Sequence, residues 1–280
     1  MTWKIVVDSG CDLKALTQNV PHLHFERVPL TLQVGNSVYV DDYGLDIEDM
    51  MNSMYANDLP TKSSCPSPDA FLNAYRGYDK IIVITITSNL SGSYNSASLA
   101  KNLYLEERPD TQIHIIDSLS AGGEMDLLAM KLENLIAEGL IFEEVVEKIK
   151  AYQEKTKLIF VLAKVDNLVK NGRLSKLVGK VVGLLNIRMV GQASSEGTLE
   201  LLQKARGQKK AVKATYEEML KSGYKGGKVF IGNQKNEKIC QQLEELIKPL
   251  FPNAEIIRQD LSGLCSFYAE KEGILMGYEI

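Results

Sequence analysis

Histidine is scarce in this chain, occurring only as His22, His24 and His114. Cysteine is scarce too. Cys11, Cys65, Cys240 and Cys265 stand far apart, with no Cys-x-x-Cys pair. A multi-histidine metal site, a zinc ribbon and a disulfide framework are therefore not expected. No apolar run reaches the roughly 20 residues of a membrane-spanning helix. An excess of positive charge is also missing: 32 basic residues face 36 acidic ones, for a net charge of −4. That balance argues against a protein built to neutralise nucleic-acid phosphates. The opening Met-Thr-Trp-Lys-Ile-Val-Val-Asp reads as a strand rather than a signal peptide. Together these absences describe a reduced, soluble, cytoplasmic protein. Catalytic signatures are absent as well. The chain has no Gly-x-x-x-x-Gly-Lys-Ser/Thr loop, no Gly-x-Gly-x-x-Gly after its first strand and no Gly-x-Ser-x-Gly elbow.

What is present is an ordinary globular composition, 45% hydrophobic and 24% charged over 280 residues. That length suits two domains or one large one, with a sizeable core. Residues 4–9 form an apolar run ending at Asp8-Ser9-Gly10, a buried strand and its turn. Residues 28–34 and 37–40 flank Gly35-Asn36, a hairpin signal. Residues 46–54 read as a short helix capped by Asp46, with Ile47, Met50, Met51 and Met54 on one face. Residues 60–68 read as a Ser/Pro loop, followed by a helix over 68–76. Strands at 80–85 and 112–116 then alternate with helices at 93–105, 124–139 and 142–153. This order predicts a parallel sheet.

Near residue 155 the pattern changes. Strand 158–163, a short helix at 165–170 stopped by Asn171-Gly172, and an apolar stretch at 174–185 follow. Strands 187–192 and 198–204 read as an antiparallel pair. Helices at 208–222 and 237–249 and strands at 228–232, 255–259 and 273–280 complete the chain. The expected division is an N-terminal α/β domain over residues 1–156 and a C-terminal α/β domain over 157–280.

In open parallel sheets, ligands bind beyond the C-terminal strand ends. Three such ends carry hydroxyls: Asp8-Ser9, Thr87-Ser88-Asn89-Leu90-Ser91-Gly92-Ser93, and Asp117-Ser118. The middle turn is the most informative. Gly92 allows close backbone approach, and the helix start offers unpaired N–H groups to a carboxylate or phosphate. Equally, Ser91 or Ser93 serves only to cap the helix. Asp8, Asp12, Asp117 and Glu124 suit either Mg²⁺ or turn N–H groups, and the latter is the simpler reading. Arg173 is a surface or capping residue, or a fixed fork for a phosphate. The residues alone leave open an enzyme acting on a small phosphorylated or carboxylated metabolite at the Ser91, Asp8 and Asp117 ends. They also leave open a regulatory or interaction domain.

Several motifs in order resemble one family. They are Asp8-Ser9 with Asp12-Leu13, Lys62-Ser63-Ser64-Cys65-Pro66-Ser67-Pro68, Thr87-Ser88-Asn89-Leu90-Ser91-Gly92-Ser93-Tyr94, Ile116-Asp117-Ser118, Asn171-Gly172-Arg173-Leu174-Ser175, and Leu184-Leu185-Asn186-Ile187. Over nearly all 280 residues the set is similar to the bacterial DegV family, which includes the FakB subunits of fatty acid kinase. The resemblance implies a two-domain α/β fold, with a parallel-sheet N-terminal domain and a mixed-sheet C-terminal one. It implies a long-chain fatty acid held in a buried tunnel as ligand, and no cofactor of the chain's own. The carboxylate is expected at the hydroxyls of Ser63, Ser64 and Ser91 and the N–H of Gly92. Arg173 matches the family residue that serves phosphoryl transfer to the acid. A separate FakA-like kinase subunit is expected to supply ATP and Mg²⁺, so this chain is a lipid-binding subunit with no catalytic residue. The acyl-phosphate feeds phospholipid synthesis, which allows transient contact with a membrane surface.

Two positions depart from the family pattern. Relatives carry a His-x-Gly-Pro-Gly segment near the C-terminus, where this chain reads Ser266-Phe267-Tyr268-Ala269-Glu270-Lys271-Glu272-Gly273. Tyr268 is the candidate hydroxyl in place of that His. Met189 stands where relatives often have Pro. The implied chemistry is coherent. Burying a 16-carbon chain at about 0.8 kcal/mol per CH₂ supplies roughly 10 kcal/mol gross. A buried carboxylate must be hydrogen-bonded, and neutral hydroxyls and N–H groups do this without a buried lysine.

Overall fold

The computed structural model describes residues 1–56, 59–174 and 186–280. Strands β1 (Trp3–Asp8), β2 (Leu23–Val28), β6 (Lys80–Thr85) and β7 (Gln112–Asp117) form a parallel sheet in the order β2-β1-β6-β7. Both faces of this sheet are covered, as parallel sheets require. On one side Val6, Val28, Ile81 and Val83 pack against helices α2 (Pro68–Tyr75) and α3 (Ser93–Glu107). On the other, Ile5, Val7, Ile82 and Ile84 meet α4 (Gly123–Ala137) and α5 (Phe142–Gln153). The continuous apolar runs of β1 and β6 follow from this two-sided burial.

A second, mixed sheet has the order β10-β9-β8-β13-β11-β12. Its strands are β8 (Thr156–Leu162), β9 (Ile187–Ala193), β10 (Leu199–Arg206), β11 (Val229–Asn233), β12 (Ile256–Asp260) and β13 (Ile274–Glu279). Only β11 and β12 run parallel. Helices α7 (Gln208–Lys221) and α8 (Glu237–Ile247) cover one face, burying Ile159, Val161, Val190 and Met276. The opposite face of β8 carries Leu158, Phe160 and Leu162, two residues apart, as strand periodicity demands.

A third sheet, β4-β3-β5, is antiparallel. Strands β3 (Thr31–Val34) and β4 (Ser37–Val40) turn at Gly35, whose φ of 58° suits a two-residue primed hairpin loop. Helix α1 (Ile47–Ala56) starts where Asp46 Oδ1 accepts the Asp49 N–H at 2.9 Å. Helix α6 is Asp166–Lys170 and α9 is Gly263–Ala269.

Backbone-to-backbone packing joins the first and second sheets. A Cβ on Gly123 of α4 would stand 2.5 Å from Gly277 N and 2.6 Å from Phe230 O. Helix α9 is tied in by borrowed caps. The Asp41 carboxylate accepts the Gly263 and Leu264 N–H groups, each at 2.8 Å, and Asp12 Oδ1 accepts the Ser262 N–H at 2.7 Å. One core cluster accordingly runs from Ile5 and Met125 through to Phe230, Leu264 and Phe267.

The fold is the two-domain α/β architecture expected, with a parallel and a mixed sheet, but three local readings change. Residues 28–34 are not one strand: β2 ends at Val28 and β3 begins at Thr31. Residues 60–68 are not all loop, because Thr61–Ser64 is β5, paired with β3 through Leu32↔Ser63. Helix α9 stands before the last strand, where the sequence reading placed no element. The apolar stretch 174–185 lies outside the described residues except for Leu174, and so do Ser175, Leu184 and Leu185 of the motif set.

Candidate functional site

A cavity of about 340 Å³ lies between the C-terminal ends of the parallel strands and the open face of the mixed sheet. Ile86 and Ala121, just past β6 and β7, form one wall. Leu158, Phe160 and Leu162 of β8 and Leu275 of β13 form the other. Leu264, Cys265 and Ala269 of α9 close a third side. These walls are almost wholly hydrocarbon.

The exceptions include the residues expected at the carboxylate and the one expected at phosphoryl transfer. Ser63, Ser64, Ser91, Gly92, Arg173 and Tyr268 all line this one cavity. Short contacts link them. Ser63 Oγ lies 2.6 Å from Tyr268 Oη, joining β5 to α9. Cys65 Sγ lies so close to Gly92 that a Cβ there would be only 2.9 Å away. Arg173 Nε donates to Leu90 O at 3.3 Å, and its Nη1 donates to Asn171 O at 2.6 Å. Burial pushes the Tyr268 phenol up, so its hydroxyl stays a neutral donor at physiological pH.

Ser91 does two things at once. Its Oγ lies 3.0 Å from Ser93 Oγ and accepts the Ser93 N–H at 3.3 Å. The N-cap position of α3 is Gly92, which makes no side-chain cap bond. The local bond to Ser93 and the cavity-lining position therefore coexist. Ser63, Ser64 and Arg173 also line a second hollow of about 560 Å³ with Lys62, Lys170 and Asn171. The cavity's polar residues thus adjoin a polar recess.

The candidate carboxylates are engaged by backbone N–H groups and neighbouring hydroxyls. Asp8 Oδ1 accepts Gly10 N–H at 2.9 Å and its Oδ2 accepts Ile86 N–H at 3.0 Å. Asp117 Oδ1 accepts the Ser88 and Leu119 N–H groups, both at 3.1 Å. Glu124 accepts from Thr156 Oγ1 at 2.8 Å. Asp12 bonds Ser262. None of the four lines the cavity. Burial raises Asp8 to about 6 and Asp12 to about 6, against an ordinary 3.8. Among the described residues no cluster of three or more His, Cys, Asp or Glu side chains suits a metal ion.

Sequence reasoning missed the cavity wall. Its one available signal was the two-residue spacing of Leu158, Phe160 and Leu162, which reads the same for a core strand. Cys65 is exposed at the cavity beside Gly92.

Comparison with known proteins identifies the family and its fold. A family model described as "Uncharacterised protein, DegV family" matches residues 2–277. A DegV domain-containing protein of Streptococcus pyogenes serotype M1 is 69% identical over all 280 residues of both chains. One from Streptococcus pneumoniae is 64% identical, again over the whole of both. Among solved structures, the Streptococcus pneumoniae fatty acid kinase B3 protein loaded with linoleic acid superposes with a TM-score of 0.98. It is 64% identical and fully covered, as is this chain. A DegV family protein from Eubacterium eligens loaded with heptadecanoic acid gives a TM-score of 0.95 at 38% identity, covering 99% of each chain. This chain belongs to the DegV family.

Proposed function

We propose that the chain binds one long-chain fatty acid in the 340 Å³ cavity and presents its carboxylate to a separate kinase subunit. The carrying observation is the convergence of Ser63, Ser64, Ser91, Gly92 and Tyr268 on a cavity walled mostly by hydrocarbon. Such walls suit an acyl chain, and neutral donors suit a carboxylate that must remain hydrogen-bonded and yet reactive. The fatty acids held by the related pneumococcal and Eubacterium proteins support the same reading.

On this reading the chain is a carrier rather than a stand-alone enzyme. It has no nucleotide-binding loop, so ATP and Mg²⁺ belong to the partner. Phosphoryl transfer forms a new O–P bond at the acid's carboxylate oxygen and leaves ADP on the kinase. Arg173 lines both the cavity and the polar recess, which supports a role in neutralising the transferring phosphoryl group. Dependence on ATP fits a cytoplasmic protein that meets membranes only in passing. Among the described residues no helix is long and apolar enough to cross one.

Denaturing extraction and mass spectrometry of the purified protein test this proposal. A near-stoichiometric long-chain fatty acid is expected. An empty protein that also fails to take up added fatty acid would refute it.

A further inference from the structure

Behind the β8 wall of the cavity lies a vacancy that only glycine supplies. Phe160 sits in the middle of β8 and faces the cavity. Its cross-strand partners are Leu275 on β13 and Gly191 on β9. Residues directly opposite one another in an antiparallel pair share a face, so a side chain at 191 would stand beside the Phe160 ring. None does. A Cβ built on Gly191 would lie 2.3 Å from Phe160 Cζ and 2.5 Å from Cε2. The outer edge of the ring therefore occupies the space above the glycine, leaning across β9. Leu275 fills the other flank, and Leu158 and Leu162 stand before and after Phe160 on the same face. A ring pushed off β9 has the cavity it lines beside it.

We propose that Gly191 is a specificity determinant. By letting the Phe160 ring lie over strand β9, it sets how much of the cavity is left for the acyl chain and hence the longest chain that fits. The inference rests on the fatty-acid reading above and names the pair that sets chain preference within it. Gly191 does not itself line the cavity and acts through Phe160.

Two substitutions act in opposite directions. Phe160→Leu leaves β9 intact and enlarges the cavity. Gly191→Ala drives the ring off β9 and makes the cavity smaller. The added methyl also meets Glu200 O at 2.5 Å, so this variant strains the β9–β10 pairing as well. The double variant Gly191→Ala/Phe160→Leu retains that strain but removes the ring.

Each protein is loaded from an equimolar mixture of saturated fatty acids of graded length, and the bound acids are quantified by mass spectrometry. Phe160→Leu should shift the bound population toward longer chains. Gly191→Ala should shift it toward shorter ones, changing the long-to-short ratio at least tenfold, or about 1.4 kcal/mol in relative affinity. With the ring gone, the double variant should match the profile of Phe160→Leu rather than that of Gly191→Ala. An unchanged length profile in Phe160→Leu that binds with normal stoichiometry would overturn the inference. So would a Gly191→Ala shift that persists in the double variant, since the backbone strain would then be its cause. Should the wild-type protein bind none of the acids, the fatty-acid reading itself fails.

Discussion

Replacing Ser91 by alanine removes one hydroxyl from the proposed carboxylate site and nothing from the hydrocarbon walls. A hydrogen bond to an ionised group contributes about 1.5–3 kcal/mol. At about 1.4 kcal/mol per decade, Ser91→Ala should weaken fatty-acid binding roughly 10- to 100-fold. The local bonds of Ser91 change this little. Its acceptance of the Ser93 N–H is long, at 3.3 Å, and its loss affects empty and loaded protein alike. Ser63, the Gly92 N–H and Tyr268 remain, so binding should be weakened rather than abolished. Isothermal titration with a soluble long-chain fatty acid measures the change, and the melting midpoint of the empty variant checks its fold. A folded Ser91→Ala protein with affinity within twofold of wild type would refute the assignment of this turn to the head group.

Other expectations follow from the same geometry. Arg173→Ala should leave fatty-acid affinity within a few-fold but sharply reduce acyl-phosphate formation with a competent kinase; normal product formation would remove Arg173 from the transfer step. Gly123→Ala should destabilise the fold by at least about 1–3 kcal/mol, since its methyl would meet backbone atoms of Gly277 and Phe230 that no rotamer change relieves. A denaturation midpoint equal to wild type would contradict that packing. The buried carboxyls Asp8 and Asp12, each raised to about 6 from 3.8, make stability depend on pH. Raised values mean that the folded state holds these protons more tightly than the unfolded chain does. Their contribution is full below about pH 4 and is lost as pH rises through about 6, on the order of 2–3 kcal/mol for each group. Urea midpoints should therefore fall between about pH 4.5 and 7 from these groups, and Asp8→Asn should flatten the fall. A slope unchanged by that substitution would show that Asp8 is not among its causes.

How far the fold was legible depended on the kind of burial each segment has. Lys80–Thr85 and Phe142–Gln153 were readable to the residue, because a two-sided strand and an amphipathic helix leave strong patterns. Strand β2 was not, because His24 and Glu26 alternate with half-buried positions at a sheet edge. Strand β5 carries Lys-Ser-Ser between prolines and holds its place by pairing with β3, a long-range contact that local composition does not encode. Helix α9 starts at Gly263 and takes its caps from Asp41 and Asp12, far away in the chain. The polar half of the site was legible through the ordered motifs, since Ser63, Ser64, Ser91, Gly92, Arg173 and Tyr268 meet at one cavity. The apolar half was not, because leucine and phenylalanine look the same in a core and in a tunnel.

The hydrogen bond between Ser63 and Tyr268 joins residues 205 positions apart, and Ser91 comes from a third element. No fragment of the chain assembles this set of donors. An unfolded or truncated chain thus has no binding site, and by mass action a fatty acid stabilises only the native state. At a free concentration 100 times the Kd the gain is about 2.7 kcal/mol. On the proposed function, loaded protein should then resist proteolysis longer than empty protein, and lipid supply would help set how much of the protein persists.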